Sequence, residues 1–402
     1  MENEEIKQYL ISFAEKTLNR CEAFTRIYGK DFVRQRLEVN LDKVYTDLYH
    51  NGDNGQYSLN DLSIRLFSDD ENAKPLTIKD IKSNFNLQHD ILHEAIHAIF
   101  RRTDEECEKF GIEDGTGLVE YYNIGTPMGG GLNEGLTEWI CKKAGYPLNV
   151  YGEEAKIIEL FELAIGEDKV MQLAKGDIRG NVAELLQMSK EDLGKLLNQV
   201  DYICSIEGKI EQINRIISTL SQRKSGILTI ENEEDLKEEL GTDYESYSQM
   251  MKNMRCFRKN VNGNDVNEQL SYLQELHNNI KKDMNFHIGF FVKEDIYLKY
   301  FSKEIEDLQN AKTISKETMN RLTALYNNIS DEEASHSQIL LKFKNELYPE
   351  LQSKAAVVNE SKFAEIYGKA KGNISQVFGK IKAFFIEQKN KKNNDNRELD
   401  EH

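Results

Sequence analysis

His93-Glu94-Ala95-Ile96-His97 is the segment of the chain best equipped for chemistry. Leu87, Ile91, Leu92, Ala95, Ile96 and Ile99 recur around it at helical spacing, which predicts a helix over 86–102. Residues four apart on a helix share a face, so His93 and His97 can bind one metal ion without distorting the backbone. Glu94 is turned from His93 by about 100°, so it misses the metal and can reach a water beside it. Two nitrogen ligands and a nearby carboxylate base are what zinc-assisted hydrolysis requires. A second segment, Asn133-Glu134-Gly135-Leu136-Thr137-Glu138, opens the next predicted helix, 132–144, and again sets two carboxylates four apart. Zinc with three protein ligands keeps a fourth position open, and Glu134 is expected as the third ligand, giving one zinc ion per chain. Glu138 is then placed to accept a hydrogen bond from a ligand histidine and fix its tautomer.

The HExxH segment followed by this NEGxTE-type helix resembles the gluzincin class of zinc metallopeptidases, to which the thermolysin-like enzymes belong. The resemblance spans roughly 57–175 and identifies no specific family. It implies that His93, His97 and Glu134 bind zinc and that Glu94 is the general base. It also implies that Glu138 supports the first histidine and Asn133 the second, and that a short sheet offers an edge strand to the substrate. The stretch from His97 to Glu134 is longer here than in the thermolysin-like enzymes, and a glycine-rich segment, 111–131, fills it.

Peptide hydrolysis develops an oxyanion that a second donor must stabilise. Tyr121, Tyr122, Tyr146 and Tyr151 flank the second motif, and Tyr151, just ahead of a predicted helix, is the expected donor. His89 lies one turn before His93 and either lines the cleft or has a structural role. Trp139, the single tryptophan, is expected in the core. Gly129-Gly130-Gly131 lacks the following Lys-Ser/Thr of a phosphate loop and is read as a lid or substrate-side loop.

These side chains need elements to hold them. One or two helices are expected over 5–50, with Val44 and Leu48 on the apolar face of the second, followed by a turn at Asn51-Gly52-Asp53-Asn54-Gly55. Leu62, Ile64 and Leu66 alternate with Ser63, Arg65 and Phe67 and predict a strand. Thr77-x-x-Asp80 marks a helix start, and 152–165 reads as a helix stopped by Gly166. Beyond residue 180 the pattern is helix after helix, including 181–224, 290–311 and 360–388, ending in a polar tail over 389–402 that is expected to be disordered. The expected fold class is α+β and mostly α-helical. A small sheet and the active-site helix fall in a zinc metallopeptidase-like domain over 1–180, and a helical domain of unassigned role covers 181–388.

Composition narrows the partners. The net charge of −17 repels phosphate backbones, so nucleic acid is not expected. No run approaches 18 apolar residues, and the acidic start Met1-Glu2-Asn3 lacks the pattern of a signal peptide, so no membrane association and a cytoplasmic location are expected. The five cysteines, without a CxxC, read as free thiols. Two functions follow. The first is a zinc-dependent peptidase acting on a peptide or protein. The second is a non-catalytic helical interaction or regulatory protein that keeps a structural zinc. The second needs a fourth protein ligand, for which Cys107 and Cys141 are the candidates.

Overall fold

The computed structural model describes residues 4–49, 55–68, 74–121, 129–147, 151–175, 181–258 and 265–355. The expected turn at 51–55 apart from Gly55, the helix at 360–388, the tail and Tyr122 lie outside these residues. The chain forms two compact units, Met1–Ser302 with Asn327–Leu341, and Lys303–Tyr326 with Lys342–His402. The fold is α+β and mostly helical.

The first unit opens with three short helices, α1 (Glu4–Leu18), α2 (Glu22–Tyr28) and α3 (Phe32–Asn40), and then a strand, β1 (Lys43–Tyr49). Val44 and Leu48, expected on a helix, therefore sit on a strand. An apolar residue every fourth position fits either element over so short a run, and pairing with a neighbouring strand decides it. Strands β2 (Gly55–Ser58) and β3 (Ser63–Ser68) complete a sheet of order β1-β3-β2. β3, the strand legible from its alternation, is the central one; it runs parallel to β1 (Val44 opposite Ile64) and antiparallel to β2 (Tyr57 opposite Ile64). β2 is thus an edge.

Two helices follow, α4 (Ile78–Ser83) and α5 (Phe85–Phe100). Thr77 and Asp80 form the expected capping box of α4, and the Asn84 side chain accepts the Leu87 N–H at the start of α5. The far end of α5 is satisfied from α3: Asn40 Nδ2 donates to the Ala98 carbonyl at 2.9 Å and Arg36 Nε to the Ile99 carbonyl at 3.0 Å. Ile91, Leu92, Ala95, Ile96 and Ile99 are fully buried, so α5 runs through the core.

After α6 (Asp104–Phe110) the glycine-rich stretch is not all loop. It contains a hairpin, β4 (Asp114–Thr116) and β5 (Val119–Tyr121), braced by the buried Arg102, whose guanidinium donates to the Gly117 and Val119 carbonyls. α7 (Gly130–Lys143) and α8 (Gly152–Ile165) then pack closely. A Cβ on Gly135 would lie 2.6 Å from the Glu154 carbonyl oxygen, so only glycine permits this approach. Trp139 is fully buried between them, as expected of a core tryptophan.

Short helices α9 (Glu167–Leu173) and α10 (Asn181–Leu185) lead to the long α11 (Lys190–Ser225). α11 lies against α7 at Gly131, where a Cβ would lie 2.7 Å from the Val200 carbonyl oxygen. Its later half forms an apolar core with α12 (Glu233–Leu240), α13 (Tyr244–Phe257) and α14 (Val266–His287), through Ile213, Ile216, Leu220, Leu240, Met254 and Leu273. α14 continues through a π-helical turn, Ile288–Lys293, into Glu294–Tyr300, so the expected helix over 290–311 is interrupted. Lys293 is buried there against Glu333 at 2.8 Å. In the second unit Arg321 pairs with Glu304, and Tyr326 stacks on Tyr348 at 4.3 Å. Among the described residues no helix is long and apolar enough to cross a membrane.

Candidate metal centre

α5 and α7 cross so that three ligand atoms meet. His93 Nε2 lies 3.1 Å from His97 Nε2, and Glu134 Oε2 lies 3.0 Å from the first and 3.2 Å from the second. Ligands at zinc-like bond lengths on a tetrahedral ion sit about 3.3 Å apart, so these atoms are already spaced to surround one ion. Among the described residues, His93, His97 and Glu134 are the one group of this kind. Cys107 and Cys141 are buried and do not join it.

The surrounding bonds fix which nitrogens face inward. Glu138, fully buried on α7, binds His93 Nδ1 at 2.8 Å and His89 Nε2 at 3.2 Å. His93 is thereby held with Nε2 toward Glu134. Asn133 Oδ1 accepts the Leu118 N–H at 2.9 Å, which turns its Nδ2 to His97 Nδ1 at 3.2 Å. This clamp depends on the hairpin. Gly117 has φ +54°, and a Cβ there would lie 2.0 Å from Asn133 Oδ1. Thr116 Oγ1 donates to the His97 carbonyl at 2.6 Å and holds the same turn of α5.

The electrostatics follow the geometry. Burial lowers the His93 pKa, but hydrogen bonds to Glu134 and Glu138 outweigh it and leave the imidazole well above its ordinary value. Burial raises Glu134, and the charge of His97 with the bonds to both histidines outweighs it and holds the carboxylate well below its usual range. For Glu138 burial is again outweighed, by His89 and His93, and the carboxyl is held at about 2. The cluster therefore combines fixed negative charge with two imidazoles. Such a donor set is of the kind that binds a divalent metal ion.

Glu94 is not one of the three ligand residues and lines the same cleft. Its Oε2 accepts the Tyr57 N–H from β2 at 2.6 Å, and a Cβ on Gly55 would lie 3.2 Å from its Cγ. Burial raises its pKa, with the nearby His93 and His97 acting against the rise. Tyr151 caps α8 with φ +51°, a strained backbone for a residue with a side chain, and its ring stacks on His93 at 6.0 Å. Tyr146 instead packs on Phe85 at 4.7 Å and bonds Gln88, outside the site.

These groups open onto a cleft of about 960 Å³ whose walls include β2, Glu113 and Asp114 near the hairpin, and Cys204, Glu207, Glu211 and Arg215 of α11. Neither the strand N–H nor the α11 wall was visible in the sequence. A backbone donor leaves no residue signature, and the α11 side chains read as one stripe of an ordinary polar helix. Comparison of the chain with protein-family models, with curated proteins and with solved structures returns no match. The resemblance to the gluzincins therefore rests on the two sequence motifs alone.

Proposed function

We propose that the chain is a zinc-dependent peptidase whose ion is held by His93, His97 and Glu134. The observation that carries this reading is the meeting of three ligand atoms beside a separate carboxylate, Glu94, at the floor of an open cleft. The donor set fits zinc: two imidazole nitrogens, each oriented by a buried partner, and one carboxylate oxygen. Zinc when bound polarises a scissile carbonyl and makes water more acidic. Glu94 takes the proton of the attacking water and delivers it to the leaving amine. Its raised pKa brings it nearer to neutral pH, where a base can both accept and return a proton.

The other residues position. Glu138 keeps the His93 proton on Nδ1 and leaves Nε2 free to bind. Asn133 holds His97 by its Nδ1 edge, which turns Nε2 toward Glu134. Tyr151, stacked on His93, is the side chain best placed to donate to the oxyanion. The β2 edge offers backbone groups to an extended peptide. A structural zinc in a non-catalytic protein would want a fourth protein ligand, and among the described residues the group has three members.

The test is Glu94→Gln in the full chain. It is expected to retain zinc and fold while hydrolysis of a peptide library falls by roughly 10²- to 10⁴-fold. Undiminished hydrolysis would remove Glu94 from the mechanism.

A further inference from the structure

Glu94 follows His93 on α5, and a helical turn of about 100° per residue carries its side chain off the ligand face. A glutamate side chain in an open cleft has several rotamers to choose from. Two residues of β2 narrow the choice. Tyr57 donates its backbone N–H to Glu94 Oε2 at 2.6 Å, a short bond of the charge-assisted kind. Gly55 lies beside the stem of the same side chain. A Cβ there would be 3.2 Å from Glu94 Cγ and 3.6 Å from Oε1.

β2 is itself tied to α5. It pairs with the central β3, Tyr57 opposite Ile64, and the Tyr57 hydroxyl donates to the Asn40 carbonyl at 2.7 Å. Asn40 in turn donates to the Ala98 carbonyl of α5 at 2.9 Å. One residue of α3 therefore joins the strand to the helix, and the Tyr57 N–H meets Glu94 from a fixed position. An N–H spent on Glu94 is also one that a peptide laid along β2 cannot use.

We infer that Gly55 and Tyr57 are the positioning residues of the proposed base. The Tyr57 N–H holds Glu94 by Oε2, Gly55 leaves room for its stem, and Oε1 is the oxygen that takes the proton of the attacking water. The water oxygen keeps the electron pair of the broken O–H bond for the carbonyl carbon, and the proton ends on the leaving nitrogen. The inference rests on Glu94 acting as the base. Placement matters because a shift of about 1 Å in a catalytic group can cost roughly 10²-fold in rate. Alanine at residue 55 would press on Cγ and move the carboxylate by a few tenths of an ångström. Gly55 has no positive φ, so the backbone itself accepts alanine.

Two measurements on the full-length, zinc-loaded protein test this. The first is hydrogen exchange at the Tyr57 amide, followed by NMR on protein with isotope-labelled tyrosine. Glu94→Ala is expected to speed it roughly 10- to 100-fold, the worth of a hydrogen bond to a charged group, and to leave exchange at Tyr45 on β1 as it was. The second is a double-substitution cycle. Gly55→Ala is expected to lower kcat for peptide hydrolysis about tenfold with KM and zinc content unchanged. In the Glu94→Gln background it is expected to lower the residual rate no further, because the base it displaces is gone. Unchanged Tyr57 exchange in Glu94→Ala would overturn the assignment. So would Gly55→Ala activity equal to the parent, a loss that comes with lost zinc, or the same loss in both backgrounds. A parent chain that hydrolyses nothing would sink the peptidase reading, and Tyr57 exchange would still decide whether β2 holds Glu94.

Discussion

Glu138 never touches the three ligand atoms' meeting point, yet it organises it. One carboxylate, fully buried, holds His93 at 2.8 Å and His89 at 3.2 Å. Glu138→Ala is expected to weaken zinc by roughly 10- to 100-fold without abolishing binding, as the loss of a ligand's supporting bond does. Competition with a chelator of known affinity measures this, and unchanged affinity would return Glu138 to a structural charge. At this scale the sequence was most informative where spacing is local. His93, Glu94 and His97 share one helix and Glu134 and Glu138 another, so the i,i+4 rule orders each set before any tertiary contact. His89, left between cleft and structure by sequence, does both: it lines the cleft and bonds Glu138.

The start of α7 shows what packing adds to an element. Gly129-Gly130-Gly131 offers no side chain to cap the helix that carries Glu134 and Glu138. The cap comes from α11, where Asp201 accepts the Gly131 N–H at 2.8 Å and the Gly129 N–H at 3.0 Å. The carboxylate also opposes the positive end of the helix dipole. Asp201→Ala is expected to destabilise the folded chain by about 0.5–2 kcal/mol, measured by urea unfolding, and an unchanged midpoint would show that the cap contributes nothing. The sequence marked the triple glycine as a loop and had no means of pairing it with an aspartate so far along the chain. The same limit explains β1 and the β4–β5 hairpin. A short apolar run takes its period from its partners, and a three-residue strand has too few positions to show one. β3 was legible because Leu62, Ile64 and Leu66 alternate with Ser63 and Arg65.

At the scale of the whole molecule, composition indicated a mostly helical α+β chain, and the fold has that character. The three residues proposed to bind zinc all fall before residue 180. The cleft around them is also walled by α11, which starts at Lys190. Ligand residues drawn from two helices that are fixed by α3, the hairpin, α8 and α11 are assembled only in the folded state. An ion that binds there therefore stabilises the whole fold. The most direct test of the account is the zinc content of the purified full-length chain after dialysis. About one zinc per chain is expected, with His93→Ala, His97→Ala and Glu134→Ala each emptying the site in a chain that remains folded. A folded chain that takes up no zinc, or zinc that survives all three substitutions, would contradict the assignment.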